Sequence, residues 1–495
     1  MPPGQPLEFP HVVAAEQLHI RIALPDELAQ PLLVMHALAP VLVHHPLIEA
    51  QASYPYRESM NRLDRRPKSH PLDDPARRMQ TWRMENSAPG MNARCCIVGG
   101  GPAGMMLGLL LARAGIAAIV LEKHADFLRD FRGDTVHPST LEILAELGLK
   151  ERFDALPQHR VEQLDGMFAD GMHALGDFRS LRPFPYMALV PQWDLLDLLA
   201  AEAKRQSGFR LCMSHEATEL LRGPDGRVAG VMARSPDGMV QVNADLVVGC
   251  DGRHSLLRSA AGLQTKNLGA PMDVMWFRLP RLPTDPPGTF GAPGYGNFLV
   301  MLNRNEYWQI ASVIAKGDAD RWRQRPIGDF QARVAGKVGF LADRVHGIAS
   351  WDDVKLLEVR VDRLEQWHRP GLLLIGDAAH AMSPIGGVGI NLAIQDAVAA
   401  GNILAPALLA SGVPDESVLA AVQQRRLLPT KIIQGLQVFI QRRVIAPALA
   451  RQDSDKPVEL PGIVRWLLKS SFIRSIPARI LGQGFRREHV RPLRR

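Results

Sequence analysis

Cysteine is scarce in this chain, and none of it is arranged for bridging. The 495 residues hold four, Cys95, Cys96, Cys212 and Cys250, and no C-x-x-C. That excludes a disulfide-stapled scaffold and a zinc ribbon, and it fits a reducing cytoplasm. Near the N-terminus an unbroken long apolar run is missing too. Leu28 to Val43 is interrupted by Pro31 and Pro40 and falls short of the roughly 20 residues of a membrane span. The N-terminus lacks the basic stretch that opens a secretion signal. Tyrosine is limited to five residues, so no tyrosine-rich catalytic centre stands out. Acidic excess is absent: the net charge is +7 and the pI near 9.4. No nucleic-acid motif accompanies that surplus, which therefore favours anionic small molecules or a negatively charged surface. With 46% hydrophobic and 22% charged residues, the composition is that of a globular chain of two or three domains.

The informative segment runs from Cys95 to Glu122, CCIVGGGPAGMMLGLLLARAGIAAIVLE. It reads as strand, glycine turn, helix, strand and terminal acid. Gly99 permits a tight turn, Gly101 lets a pyrophosphate approach the backbone, and Gly104 lets helix and strand pack closely. The helix start offers unpaired N–H groups to phosphate. Glu122 stands where a carboxylate can accept both hydroxyls of an adenosine ribose. An ordinary βαβ turn is the bland alternative, but the flanking elements and the acid at this distance favour dinucleotide binding.

Two later segments share a pattern, an apolar strand followed by Gly or Asp. They are Val247–Arg258, VVGCDGRHSLLR, and Gly371–Asp396, GLLLIGDAAHAMSPIGGVGINLAIQD. Leu372 to Ile375 is a continuous apolar run, as a strand buried on both faces requires. Gly386, Gly387 and Gly389 open a helix near Asn391, with its positive dipole end foremost.

Together the three segments, in this order, resemble the single-component FAD-dependent monooxygenases related to p-hydroxybenzoate and ubiquinone-pathway hydroxylases. The resemblance runs from about Ala93 to the C-terminus. It implies an α/β fold: a doubly wound FAD-binding domain interleaved with a mostly antiparallel substrate sheet, ending in helices. It implies FAD as cofactor, NAD(P)H as a transient co-substrate, and O2 and an aromatic or isoprenoid small molecule as substrates. It assigns Asp377 to the ribityl chain, Gln192 to its vicinity, and Arg132 to the flavin or pyrophosphate. Asp251 and Gly252, in the full Asp-Gly-x-x-Ser-x-x-Arg pattern, are assigned to FAD and the nicotinamide site. Gly387, Val388, Gly389, Ile390 and Asn391 are assigned to one edge of the isoalloxazine. Each has a plainer reading: a helix cap for Asp377, a turn for Asp251-Gly252, a solvated side chain for Arg132 and Gln192. No catalytic acid or base and no metal ligand can be assigned. His137 and His380 read as packed rather than catalytic.

The absence of W-x-W-x-I-P and C-x-x-C weakens halogenase and disulfide-reductase readings. No second strand-linked glycine fingerprint occurs, so NAD(P)H is expected in a groove of the same two domains. The rival enzyme is a reductase or dehydrogenase of the same fold, consuming no O2. The rival outside enzymology is an FAD-fold binding protein that has lost catalysis.

The expected organisation is an extension at 1–90, FAD-binding parts at 91–180, 246–270 and 369–412, a mixed sheet at 181–245, a substrate domain at 271–368 and C-terminal helices at 413–495. Met91 is the expected true start; a regulatory extension is the alternative. Strands are expected at Pro185–Val190, Val228–Ala233, Val240–Val248, Asp273–Leu279, Phe298–Leu302 and Trp308–Val313, and helices at Trp193–Lys204 and Ile327–Ala342. Trp276, Phe277 and Trp308 are candidates for substrate contact, with core packing an equal reading. Near the C-terminus, Ile432, Leu436, Phe439, Ile440 and Val444 share a helix face, and Val464, Leu467 and Leu468 another. Docking on the core or on a second subunit is the favoured reading; peripheral contact with an anionic membrane is the sharper one.

Overall fold

The computed structural model describes residues 90–128, 134–410, 412–450 and 458–491. The N-terminal expectation and Arg132 lie outside them. In chain order the elements that build the site are β1 (Gly90–Val98), α1 (Pro102–Arg113), β2 (Ala118–Leu121), α2 (Pro138–Glu146), β3 (Gln163–Phe168), β4 (Gly171–Asp177) and α3 (Gln192–Ala203). Next come β5 (Phe209–Cys212), β6 (Glu216–Arg222), β7 (Val228–Ser235), β8 (Gly238–Gly249), α4 (Leu256–Ala260), β9 (Met272–Pro280), β10 (Thr289–Ala292), β11 (Phe298–Asn303) and β12 (Tyr307–Ala315). Last are α5 (Ile327–Lys337), β13 (Lys355–Leu357), β14 (Leu372–Leu374), α6 (Gly389–Ala410), α7 (Glu416–Ile440), α8 (Gly462–Leu467) and α9 (Ser471–Gly482).

The first sheet is the doubly wound one. Its parallel strands run β14-β8-β1-β2-β5, with β7 added antiparallel to the long β8 and β6 antiparallel to β7. Cys95 to Val98, Ala118 to Leu121 and Leu372 to Leu374 are buried on both faces, which explains their unbroken apolar runs. The chain leaves β1 for β2 on one side and returns through β8 and β14 on the other. A ligand crevice therefore opens at the carboxyl ends of β1, β8 and β14. α6 crosses beside it and packs on α1. The segment Ile385–Ala410 is long and apolar enough to cross a bilayer, yet 72% of its apolar window is buried in protein. Its hydropathy belongs to the core.

The second sheet has seven strands in the order β13-β9-β12-β11-β10-β3-β4, antiparallel except for β10 against β3. The hairpin β3–β4 joins it from far upstream, a pairing that local sequence patterns do not announce. α5 covers one face of this sheet, where Phe277, Phe290, Trp308 and Phe330 form a buried aromatic cluster.

Candidate active site

The three glycines after β1 do three different jobs. Gly99 has φ +106°, and a Cβ there would lie 2.3 Å from the Cys250 carbonyl oxygen. A Cβ on Gly104 would lie 2.0 Å from the Gly99 carbonyl oxygen. Both are glycine because the backbone itself fills the space. Gly101 is the opposite case: a Cβ there meets nothing within 4 Å. It faces open space at the start of α1, where Pro102 at the first turn costs no hydrogen bond. Glu122 is buried at the end of β2 and accepts from the Gly100 N–H at 2.9 Å and the His124 N–H at 3.1 Å. The carboxylate is thus fastened to the glycine turn.

The ends of β8 and β14 meet the same crevice. Ser255 caps α4 by accepting the Arg258 N–H at 3.0 Å. Arg258 then donates to the Ala378 carbonyl at 3.1 Å and the Arg253 carbonyl at 2.7 Å. The Asp-Gly-x-x-Ser-x-x-Arg spacing is therefore a brace that ties the β8 turn to the β14 turn. Asp251 accepts the Leu257 N–H at 3.1 Å through Oδ2, while its Oδ1 is buried without a partner. Burial raises its pKa against the hydrogen bonds that lower it. Gly376, at φ +60°, presses against Ala103 and Ala393, and this brings Asp377 to the mouth of the crevice. The Asp377 side chain is 32% exposed within a buried stretch, and its ion pair with Arg253 is long, 3.5 Å. Open space at Gly101, an orphaned acceptor at Asp251 and a loosely held Asp377 fit a bound dinucleotide.

The Gly386–Asn391 loop is locked from below. Gly386 and Gly387 have φ +78° and +62°, and a Cβ on Gly387 would lie 2.7 Å from Thr135 Oγ1. The Asn391 side chain is fully engaged: its Oδ1 accepts from the His137 N–H at 2.9 Å and the Thr140 hydroxyl at 2.7 Å, and its Nδ2 donates to the Thr135 carbonyl at 3.2 Å. Asn391 therefore fixes the loop, leaving backbone N–H groups at the start of α6 for a ligand. His137 Nε2 donates to the Gly386 carbonyl at 2.9 Å, and burial pushes its pKa down to about 4. His380 is buried against Asp396 at 2.6 Å, and Arg426 holds the other carboxylate oxygen at 2.9 Å. Both histidines are packed parts of the frame.

A stripe of glutamines on α7, unremarked in the sequence, grips the segment leading into this loop. Gln437 donates to the Ser383 and Ile385 carbonyls, both at 2.9 Å, and accepts the Ser383 N–H at 3.1 Å. Gln434 donates to the Asp362 carbonyl at 2.7 Å, and Gln441 to the Ser383 hydroxyl at 2.8 Å. This corrects the expected docking of α7 through an apolar face. The buried stripe is polar because an irregular buried backbone needs partners. Val444 is left 45% exposed, and Ile432, Leu436 and Phe439 are half-buried.

The period of two along β9 and β12 divides the three aromatic candidates. Phe277 and Trp308 are completely buried under α5, so substrate contact is excluded for them. Trp276 points to the opposite face, packed against the same buried cluster as Phe298, Val300 and Ile385, and its indole N–H is buried without a partner. Nearby, Asp134 pairs with Arg304 at 2.6 Å, with both side chains under 9% exposed. Burial raises the Asp134 pKa, while Arg304, Gln309 and the Gln192 backbone N–H oppose the rise. Gln192 thus begins α3 beside the strand residues of the substrate sheet.

A crevice built for a dinucleotide, faced by an apolar sheet surface, defines a flavoprotein oxidoreductase. The FAD binding domain family matches residues 92–435, and the chain belongs to it. The chain is 34% identical to 6-methylpretetramide 4-monooxygenase of Streptomyces rimosus, over 72% of this chain and 86% of that one. It is 29% identical to rifampicin monooxygenase of Streptomyces venezuelae, over 78% and 80% of the two chains. Among solved structures, PqsL, a probable FAD-dependent monooxygenase from Pseudomonas aeruginosa, superposes with a TM-score of 0.61 at 18% identity. It covers 72% of this chain and 99% of its own. The anhydrotetracycline hydroxylase OxyS of Streptomyces rimosus gives 0.60 at 23% identity, over 79% and 76%. These two share the fold. The chain is an FAD-dependent monooxygenase.

Proposed function

We propose that this enzyme hydroxylates or epoxidises a fused-ring aromatic small molecule. Bound FAD would supply the redox chemistry, taking electrons from NAD(P)H and activating O2 for transfer of one oxygen atom. Gly99, Gly101, Gly104 and the start of α1 hold the pyrophosphate, and Glu122 the adenosine ribose. Asp377 holds the ribityl chain, with Gln192, Asp251 and Gly252 nearby. Gly387 to Asn391 present backbone N–H groups to the isoalloxazine edge. Arg132 is assigned to the flavin by resemblance alone.

The observation that carries the substrate class is the sheet face around Trp276. It is apolar and aromatic: Trp276, Phe298, Val300 and Ile385 all pack against one buried cluster. It offers one buried unpartnered donor, the Trp276 indole N–H. Such a wall suits a flat ring system bearing a carbonyl or phenolic oxygen, because an apolar ligand would leave that donor unsatisfied. The named relatives act on substrates of this kind: 6-methylpretetramide, rifampicin and anhydrotetracycline. The test is an oxygen electrode run with NAD(P)H oxidation over a panel of fused-ring phenols and quinones. Stimulated O2 uptake with a hydroxylated product is expected. Stoichiometric substrate reduction under argon would install the reductase reading instead.

A cytoplasmic setting is supported by four free cysteines. Peripheral contact with an anionic lipid surface is supported by exposed Ile463, Trp466 and Phe472 near exposed Lys469 and Arg479. A homodimer covering the same face is the competing arrangement.

A further inference from the structure

The site of the reductant is the part of the reaction that the glycine fingerprint leaves open. On the α5 side of the substrate sheet lies a groove of about 620 Å³, between α5, the end of β12 and the loop 294–297. That volume is in the range of a ligand site. Trp322 stands in it, with the Arg325 guanidinium 4.9 Å and the Arg333 guanidinium 4.7 Å from its ring centroid. A planar base can extend such a stack by lying on the exposed Arg325 plane. Arg321 and Lys337 add two further cations to the lining, against the carboxylates of Asp318 and Asp329. Two polar details point to a nucleotide. Asn297 lines the groove and donates to the Arg333 carbonyl at 2.9 Å, yet its Oδ1 is buried without a partner. A lone acceptor in a wall fits an exocyclic amine. Burial lowers the Lys337 pKa, so its ammonium gains from a phosphate. At the rim, Leu449 packs in the same apolar cluster as Ile385, which directly precedes the Gly386–Asn391 loop.

We propose that this groove binds the adenosine diphosphate half of NAD(P)H. The base lies against the Arg325–Trp322–Arg333 stack with its amine toward Asn297. The phosphates meet Arg321 and Lys337, and the ribose hydroxyls meet Asp318 or Asp329. The proposal rests on NAD(P)H being the reductant.

Anaerobic stopped-flow reduction of the holoenzyme by NADH and by NADPH tests it, paired with calorimetry using ADP-ribose and ATP. The variants are Arg321→Glu/Arg325→Glu, both exposed and remote from the core, and Asn297→Asp. The charge reversal should raise the Kd for reductant and ADP-ribose about tenfold or more, with FAD content unchanged. Asn297→Asp removes the amide donor to the Arg333 carbonyl and adds a negative charge beside the phosphates, so it should raise both Kd values as well. Unchanged Kd values in the double variant overturn the proposal. So does a variant that loses ATP binding alone while reduction keeps its Kd. If neither NADH nor NADPH reduces the wild type, the reductant assignment fails instead. ADP-ribose calorimetry then still decides the groove, because no binding to wild type overturns it.

Discussion

At the residue scale, Gly101 and Gly104 look alike in sequence and differ in consequence. Gly104→Val must clash with the Gly99 carbonyl, since even a Cβ would lie 2.0 Å from it. It should unfold or misassemble the first βαβ unit. Gly101→Val has room in the protein itself, so the fold should survive while the pyrophosphate's place is taken. Circular dichroism and the flavin absorbance at purification separate the two: a folded, colourless Gly101→Val protein is expected. A yellow one would mean that the cofactor lies elsewhere. Asp377→Ala should weaken FAD binding by about 1–3 kcal/mol through one lost hydrogen bond, and fluorescence titration of the apoprotein measures it. His137 carries a pH signature. Its folded pKa, near 4, lies below the unfolded value of about 6.5. Stability is therefore full above pH 6.5 and declines as the pH falls toward 4, by about 3 kcal/mol at order of magnitude. Urea unfolding at pH 7.5 and pH 5 should show about 2 kcal/mol of that loss in wild type and much less of it in His137→Asn. Equal losses would mean that other groups carry the acid sensitivity.

At the element scale, the parallel strands and their glycine turns were legible because local chemistry dictates them. Apolar runs such as Leu372–Ile375, and glycines jammed against backbone, can hardly be anything else. All six expected strands and both helices appear, although the second helix ends at Lys337, short of the expected Ala342, and a 3-10 turn follows it. The hairpin β3–β4 was not legible, because its place beside β10 depends on a partner more than a hundred residues away. The face of α7 was misread for a related reason. Hydrophobic periodicity assumes that cores are apolar, whereas this helix packs on a bare loop whose carbonyls need donors. The same reasoning gives a prediction. Gln437→Leu removes three hydrogen bonds from buried backbone around Ser383 and Ile385. It should cost about 1–3 kcal/mol for each group left unsatisfied, partly relieved by relaxation, and loosen the Gly386–Asn391 loop. Reduced FAD affinity together with a lower urea midpoint is expected. A leucine variant as stable as wild type would show that water or repacking satisfies the loop. The glutamines repeat at 434, 437 and 441, so a stripe of amides at helical spacing could have been found by asking which polar residues share a face.

At the scale of the whole molecule, charge and exposed apolar surface coincide at the C-terminal end. Residues 413–495 carry 16 Lys and Arg against 6 Asp and Glu, a surplus larger than the +7 of the entire chain. One carboxylate, Glu488, is buried in ion pairs with Arg425 and Arg426. Val464 and Ile476 turn inward, so α8 and α9 are docked on the body. Trp466, Phe472 and Ile463 nevertheless stay 68%, 58% and 52% exposed. Tryptophan and phenylalanine beside lysine and arginine are the residues that seat a helix at a bilayer interface. Each cation near an anionic surface contributes about 1 kcal/mol, within a screening distance of roughly 8 Å at physiological salt. The protein should therefore sediment with phosphatidylglycerol-containing vesicles and not with pure phosphatidylcholine, and added salt should release part of it. Trp466→Ser/Phe472→Ser should keep its FAD and lose the sedimentation, because the apolar anchors hold what the charges attract. A dimer in light scattering that the double variant converts to monomer, with no vesicle binding by wild type, would instead make this face a contact between two copies of the chain.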